Sequence, residues 1–111
     1  MATEHIKLNT VVKQLATTNG TALYTVPSSK KGMVKTIVLH NTASVSKTAE
    51  IFFDGTTDSD RMLNVELGAG ETFEYSVGHM LPLAVGDTIN GREAATGSVV
   101  NCFIFGAQED V

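Results

Sequence analysis

The sequence predicts an all-β protein, a single β-sandwich of about eight antiparallel strands with jelly-roll-like or Greek-key connections. Turn-forming pairs such as Asn19-Gly20 and Asp54-Gly55 recur at roughly ten-residue spacing, which is typical of short strands. Between the turns apolar and polar residues alternate, so that Leu63, Val65 and Leu67 fall on one side of a strand. A chain of 111 residues is long enough to bury one core without disulfides or metals.

Eight segments carry the strand pattern: 9–17, 21–26, 32–41, 47–54, 61–67, 71–77, 86–94 and 97–107. In the first, Val11 and Leu15 also fit the spacing of a helix, but the surrounding threonines favour a strand. The predicted core rows are Ile37 and Leu39 with Ile51 and Phe53, then Leu63, Val65 and Leu67, and then Phe73, Tyr75 and Val77. The predicted organisation is a flexible N-terminal arm at 1–9, a sandwich domain at 10–107 and a C-terminal tail at 108–111.

The last strand is apolar on both of its faces. A sandwich strand that has one face in solvent instead alternates apolar and polar residues. One face carries Val99, Phe103 and Phe105, and the other carries Val100, Cys102 and Ile104. Since a chain of this size has one core to offer, the second face is predicted to meet another subunit. Phe52 lies between two inward residues and is predicted to point outward as an interface anchor. The predicted self-association interface is Phe52, Val100, Cys102 and Ile104.

Two further segments are predicted to touch other parts of the assembly. The apolar stretch Met80-Leu81-Pro82-Leu83 is expected to be a loop that something covers. The arm at 1–9 is expected to reach a neighbouring subunit and add a strand to the edge of its sheet.

Charge and cysteine content exclude several classes of protein. The net charge is −4, there are 8 lysines and arginines, and the only adjacent basic pair is Lys30-Lys31, so no nucleic-acid partner is expected. No apolar run reaches the ~18 residues of a membrane span, and the N-terminus lacks the pattern of a signal peptide. Cys102 is the single cysteine, so an internal disulfide is impossible, and its apolar neighbours predict a buried, inert thiol.

The residues that might carry chemistry do not form a recognisable site. They are the histidines His5, His40 and His79, the acidic stretch 54–60, and the carboxylates Glu66, Glu71 and Glu74. The histidines lack metal-ligand spacing, and the acidic stretch does not fit an EF-hand, so a solvated loop is expected there. Paired carboxylates hydrolyse glycosides only when a cleft holds them together, and nothing in the sequence marks a cleft. We therefore predict no enzymatic activity, no metal and no cofactor.

Several strings in the chain have a family resemblance. Leu23-Tyr24-Thr25-Val26-Pro27 is followed by the strand 34–42, which ends in Asn41-Thr42, and later by Gly68-Ala69-Gly70 and Phe103-Ile104-Phe105-Gly106. In this order the strings resemble small virion structural proteins of tailed bacteriophages, over residues 10–107. One departure is the turn after Pro27, where the family usually has Ala-Gly and this chain has a longer, basic stretch at 28–32.

The resemblance implies a β-sandwich that forms homo-oligomers, often trimers, on the capsid or in the tail. The leading expectation is a capsid decoration or cement protein that stabilises the head by oligomeric binding to the shell, with the major capsid protein as its partner. It would be located in the virion and assembled in the host cytoplasm. Two alternatives are a tail, baseplate or fibre-attachment protein and a carbohydrate-binding β-sandwich module, for which Tyr24 and Tyr75 are the available tyrosines.

Overall fold

Strands account for most of the molecule. The structure, a computed structural model, describes residues 3–4, 11–15, 22–55, 57–93 and 99–110. Within these residues the strands are β1 (Thr3–Glu4), β2 (Val11–Gln14), β3 (Ala22–Thr25), β4 (Lys30–Asn41), β5 (Lys47–Phe53), β6 (Arg61–Leu67), β7 (Thr72–Leu83), β8 (Thr88–Glu93) and β9 (Val100–Asp110). A short 3-10 turn, Asp58–Asp60, precedes β6. The all-β prediction is confirmed.

The strand pairing is that of a jelly roll. One sheet has the order β1-β9-β4-β7, with β2 also paired to β9, and the other has the order β3-β8-β5-β6. The antiparallel pairs β2–β9, β3–β8, β4–β7 and β5–β6 nest inside one another, like one long hairpin of four strand pairs. The pair β4–β9 then joins two of these strand pairs into the five-stranded sheet, and the pair β5–β8 joins the other two into the four-stranded sheet. Of the two predicted connection schemes, the jelly roll is the one observed.

Strands β1 and β2 share one edge of β9. β1 pairs with Gln108 and Glu109, whereas β2 pairs with residues 101–104. The other edge of β9 is taken by β4. The described part of the five-stranded sheet is therefore at most four strands wide, the same width as the four-stranded sheet.

The core lies between the two sheets and is built from the alternating rows that the sequence predicts. Ile37, Leu39, Ile51 and Leu67 are fully buried, and Phe53, Leu63, Val65 and Phe73 pack partly buried against them. Tyr75 lies opposite Ile37 on β4 and so faces the same side. The side chain of Val77, the last residue of the predicted rows, lies outside the described residues.

Gly91 shows how closely the sheets pack. A Cβ atom at this position would lie 2.8 Å from Leu23 Cδ1 and 2.9 Å from Leu15 Cδ2. The ends of the two leucine side chains would have to shift to admit a larger residue, so glycine at this position of β8 allows the sheets to pack closely.

Two segments extend the strands beyond their predicted limits. Met80-Leu81-Pro82-Leu83, predicted as a loop, is the end of β7, where Leu81 pairs with Val34 and Leu83 is buried. Residues 108–110, predicted as a tail, belong to β9, where Asp110 binds Lys30 and Glu109 binds Lys31. The described part of the predicted arm, Thr3–Glu4, pairs with β9 of its own chain, and the rest of the arm lies outside the described residues.

Three turns are closed in the same way by an acidic residue. In Gly68–Glu71, Ala84–Asp87 and Thr57–Asp60, the last backbone N–H donates to the first carbonyl oxygen. In each turn the first backbone N–H also donates to the carboxylate of the last residue. Gly70 and Gly86 occupy the left-handed position of their turns, at φ 72° and 83°. These acidic side chains therefore have a local structural role.

The turn after Pro27 is shorter than its sequence suggests. Lys30 N–H donates to the Pro27 carbonyl oxygen, and Lys30 already begins β4. Ser28 and Ser29 are thus the two central residues, and Ser29 adopts φ 63°, a left-handed value that favours glycine. Ser28-Ser29 takes the place of the Ala-Gly pair of the resembling family, and the prediction of a longer basic turn is wrong.

Candidate interaction surface

The predicted interface residues of β9 lie inside the chain's own core. Val100 and Ile104 are fully buried, and Cys102 is 1% exposed. Cys102 and Ile104 lie opposite Leu39 and Ile37 of β4, so this row faces the second sheet. These three side chains are covered by their own chain, and their assignment to an exposed self-association surface is corrected here.

The thiol of Cys102 has the buried character that the sequence predicts. Burial raises the pKa of Cys102 to about 12. A thiol with such a pKa carries almost no thiolate near neutral pH, so it packs as a small apolar group.

Phe52 points away from the core, as predicted, but it is not exposed. It lies opposite Asn90 and Arg61, whereas the neighbouring Ile51 lies opposite Gly91 on the core side. Phe52 is nevertheless 0% exposed and lies outside the main core cluster. It is a buried side chain on the outer side of the four-stranded sheet, and its assignment as an exposed anchor is corrected as well.

A charged cluster lies beside Phe52. Glu50 is buried on β5, and Arg61 and Arg92, the two arginines of the sequence, reach it from β6 and β8. Arg61 Nη1 lies 2.6 Å from Glu50 Oε2, and Arg92 donates to Glu50 Oε1 through Nε at 2.7 Å. Burial pushes the pKa of Glu50 upward, but the two arginines outweigh burial and hold that pKa below its ordinary value. The cluster fastens three adjacent strands to one another.

The outer side of the five-stranded sheet is chemically different. We call it the outer face and define it by Lys35, Thr36, Val38 and His40 of β4, Thr72, Glu74 and Ser76 of β7, and Asn101, Phe103 and Phe105 of β9. Val38 lies opposite Phe103, and Thr36 lies opposite Phe105. The side chains of Val38, Phe103 and Phe105 are half-buried, and they lie on β4 and β9, the two central strands of the sheet.

Lys35 reaches this face because of a bulge in β4. The register between β4 and its neighbours shifts between Val34 and Thr36, and Lys35 is left without a paired residue. Val34 faces the core and Lys35 is exposed, so the bulge sends Lys35 to the outer side. Glu74, also exposed, lies opposite Val38 on the same face.

Sequence reasoning found the two apolar rows of β9 but assigned them to the wrong sides. The row at 99, 101, 103 and 105 contains Asn101, whereas the row Val100, Cys102 and Ile104 is entirely apolar. An amide in one row and a cysteine in the other indicate which row faces solvent, because cysteine is among the most buried residue types. That difference was the available signal.

Buried polar groups hold the end of the sandwich near the start of β9. Asn41 is fully buried, and its Nδ2 donates to the carbonyl oxygens of Val45, Leu67 and Gly68 at 2.9 to 3.1 Å. Glu93, also fully buried, accepts bonds from the backbone N–H groups of Val99 and Val100 through Oε1, while Oε2 has no hydrogen-bond partner among the described residues. These groups tie the two sheets together at one end.

The candidate chemical residues remain dispersed. His40 Nδ1 lies 2.8 Å from Thr72 Oγ1, and Glu71 and Asp60 close their turns. His5 and the side chain of His79 lie outside the described residues. Across the described ranges, no group of three histidine, cysteine or acidic side chains is placed to hold a metal ion. No helix within these ranges is long and apolar enough to cross a membrane.

Comparisons with known proteins give two distant structural likenesses. No protein-family model matches the chain, and no curated protein matches it. A chain in the crystal structure of the T13 viral particle of IBDV is 10% identical, with a TM-score of 0.43 over 96% of this chain and 29% of that chain. A chain in a structure of infectious bursal disease virus, Gt strain, is 11% identical, with a TM-score of 0.28 over 96% of this chain and 31% of that chain.

The chain described here thus spans less than a third of the length of both solved chains. At this identity and these TM-scores, neither likeness transfers a function to this chain.

Proposed function

We propose that this chain is a non-enzymatic structural protein of a virion, and specifically a decoration or cement protein on the head of a tailed bacteriophage. The observation that carries the proposal is a jelly-roll body whose five-stranded sheet presents Val38, Phe103 and Phe105 on its outer face. Jelly rolls are a common fold of viral capsid domains, and half-buried aromatic residues on an outer face suit a protein that works by packing. The resemblance of residues 10–107 to phage virion proteins supports the same assignment.

The jelly-roll fold also occurs in lectins and enzymes, so fold alone does not select the function. The carbohydrate-binding alternative needs accessible aromatic residues to stack a sugar. Tyr24 is buried and its hydroxyl donates to Gln108 Oε1 at 2.7 Å, and Tyr75 faces the core. The two tyrosines therefore serve the sandwich, which favours the structural role.

The mechanism is stabilisation by selective binding. An oligomer of this chain, for which we propose three copies, binds the assembled shell in preference to free capsid subunits. Mass action then shifts the equilibrium toward the assembled shell. Many copies multiply a modest contact by the symmetry of the particle. Its partners are its own copies and the major capsid protein, and assembly takes place in the host cytoplasm.

The test is made on particles of the virus whose genome encodes the chain. Particles are purified on a density gradient, and the chain is quantified by mass spectrometry in whole virions and in heads from a tailless mutant. We expect many copies in both, and shells that lack the chain should open at a lower temperature. A chain missing from virions would contradict the proposal, and a chain missing only from tailless heads would assign it to the tail.

A further inference from the structure

The outer face of the five-stranded sheet carries three apolar side chains that lie outside the core cluster. Val38 and Phe103 are directly opposite each other on adjacent strands, and Phe105 is two residues farther along β9. All three side chains are half-buried. Phe52, the one phenylalanine of the predicted interface, is already covered by its own chain. The outer face is therefore where apolar surface is available to a neighbour.

The charge on this face suits a second copy of the same chain. The whole chain has a net charge of −4, so two copies repel each other on average. On the outer face, the described charged side chains are one lysine, Lys35, and one glutamate, Glu74, whose charges cancel. Beyond them along β4 and β9, Lys31 and Glu109 form an ion pair that is also neutral. A neighbour with the same acidic charge therefore meets no net charge among the described side chains of this face.

The size of the face is also sufficient. With strands ~4.8 Å apart and ~3.3 Å per residue, the three strands that define the outer face, β4, β7 and β9, cover about 500 Å². A standard protein interface buries about 800 Å² on each partner. Two surfaces of this size bury about 1,000 Å² together, which is the lower end of the area that a specific interface needs.

We infer that the outer face of the five-stranded sheet, centred on Val38, Phe103 and Phe105, is the surface through which one copy of this chain binds a second copy. The inference rests on the oligomer of the proposed function and names the surface that forms it. The sequence predicts that the row of Val100, Cys102 and Ile104 meets another subunit, and the inference moves that role to the row of Phe103 and Phe105.

The first test replaces the two phenylalanines by threonine, a smaller and more polar residue that is β-branched and therefore favoured in strands. Light scattering coupled to size-exclusion chromatography gives the mass of the purified chain over a range of concentrations. We expect an oligomer for the natural chain, and a dissociation constant about tenfold or more higher for Phe103→Thr/Phe105→Thr, because aromatic residues dominate interface energies. An unchanged oligomer in a folded variant would overturn the inference.

A second variant carries little risk to the fold. Lys35 and Glu74 are both exposed, and Lys35→Glu gives the face a charge of about −2. At low salt this change should weaken association, and Lys35→Glu/Glu74→Lys, which restores neutrality, should recover it. The matched control, Thr25→Glu/Asn64→Glu, adds two negative charges to exposed positions of the four-stranded sheet and should leave association unchanged. Equal weakening by the control and by Lys35→Glu would overturn the inference.

The outcomes separate this inference from the proposed function. A natural chain that is monomeric at every concentration overturns the inference, whereas its presence on purified particles still supports a virion role. An oligomer that depends on the outer face supports the inference, even if the chain is missing from virions and the proposed function fails.

Discussion

Cys102 and Phe103 are neighbours in the chain, and β9 sends them to opposite sides of the five-stranded sheet. Cys102 is 1% exposed in the core, opposite Leu39, whereas Phe103 is half-buried on the outer face, opposite Val38. A strand that is apolar on both sides thus serves the core with one row and leaves the other row for a neighbour. This division leads to separate predictions for the two rows.

Substitutions in the core row should destabilise the monomer itself. Val100→Ser or Ile104→Ser removes buried apolar volume and buries a hydroxyl group, and each should lower the free energy of unfolding by about 2–5 kcal/mol. Chemical denaturation followed by circular dichroism measures the loss. The control is Phe103→Ser on the outer row, which should cost clearly less. A folded Val100→Ser/Ile104→Ser monomer of natural stability would show that this row does not belong to the core.

Replacing Ser29 by glycine should stabilise the fold. Its φ of 63° costs an L-residue conformational energy that glycine does not incur. We expect Ser29→Gly to raise the free energy of unfolding by about 0.5–1 kcal/mol. Ser28→Gly, in the adjacent turn position, serves as the control and should be neutral or destabilising. If both variants lose stability equally, the left-handed conformation of Ser29 is not the cause of strain.

The amide of Asn41 should be difficult to replace. Its Nδ2 donates to three carbonyl oxygens, and its Oδ1 accepts from the Ala43 N–H at 2.9 Å. Asn41→Asp keeps the size but places an acceptor where the carbonyl oxygens need a donor. We expect Asn41→Asp to lower the free energy of unfolding, measured by thermal denaturation, by about 2–4 kcal/mol. This loss should be larger than that caused by Thr42→Ser on the exposed side. A near-neutral Asn41→Asp would contradict this network.

Because of the Glu50 cluster, the free energy of unfolding should depend on pH in the acidic range. The pKa of Glu50 is lower in the folded chain than its ordinary value of 4.5, so its ionised form stabilises the fold above that pH. As the pH falls below about 4.5 and through the folded pKa, this contribution is lost. Urea titrations between pH 7 and pH 3 should show the decline, and Glu50→Gln should be less stable at pH 7 and show a weaker decline. An equal slope in both proteins would exclude Glu50 as the source.

Much of the fold could be predicted from alternation and turn chemistry. The core rows with Ile37, Ile51 and Leu67 follow from period-two patterns, and Asp54-Gly55 and Gly86-Asp87 lie in turns as expected. The end of β7 was missed because Pro82 indicates a loop, yet β7 is an edge strand, where proline is tolerated.

The candidate surface could be predicted only in part. Alternation shows that β9 has two apolar rows, but which row faces the core depends on pairing with β4, a contact distant in sequence. The burial of Phe52 could not be predicted for another reason. Its outward direction follows from alternation, whereas its burial depends on how the rest of the chain covers the four-stranded sheet.

The most direct test of the central claim is the mass in solution of the purified natural chain and of Phe103→Thr/Phe105→Thr, measured by light scattering during size-exclusion chromatography. The account predicts an oligomer for the natural chain and a folded monomer for the variant at the same concentration. A natural chain that remains monomeric, or a folded variant that keeps the natural mass, would contradict the claim that the outer face binds a second copy.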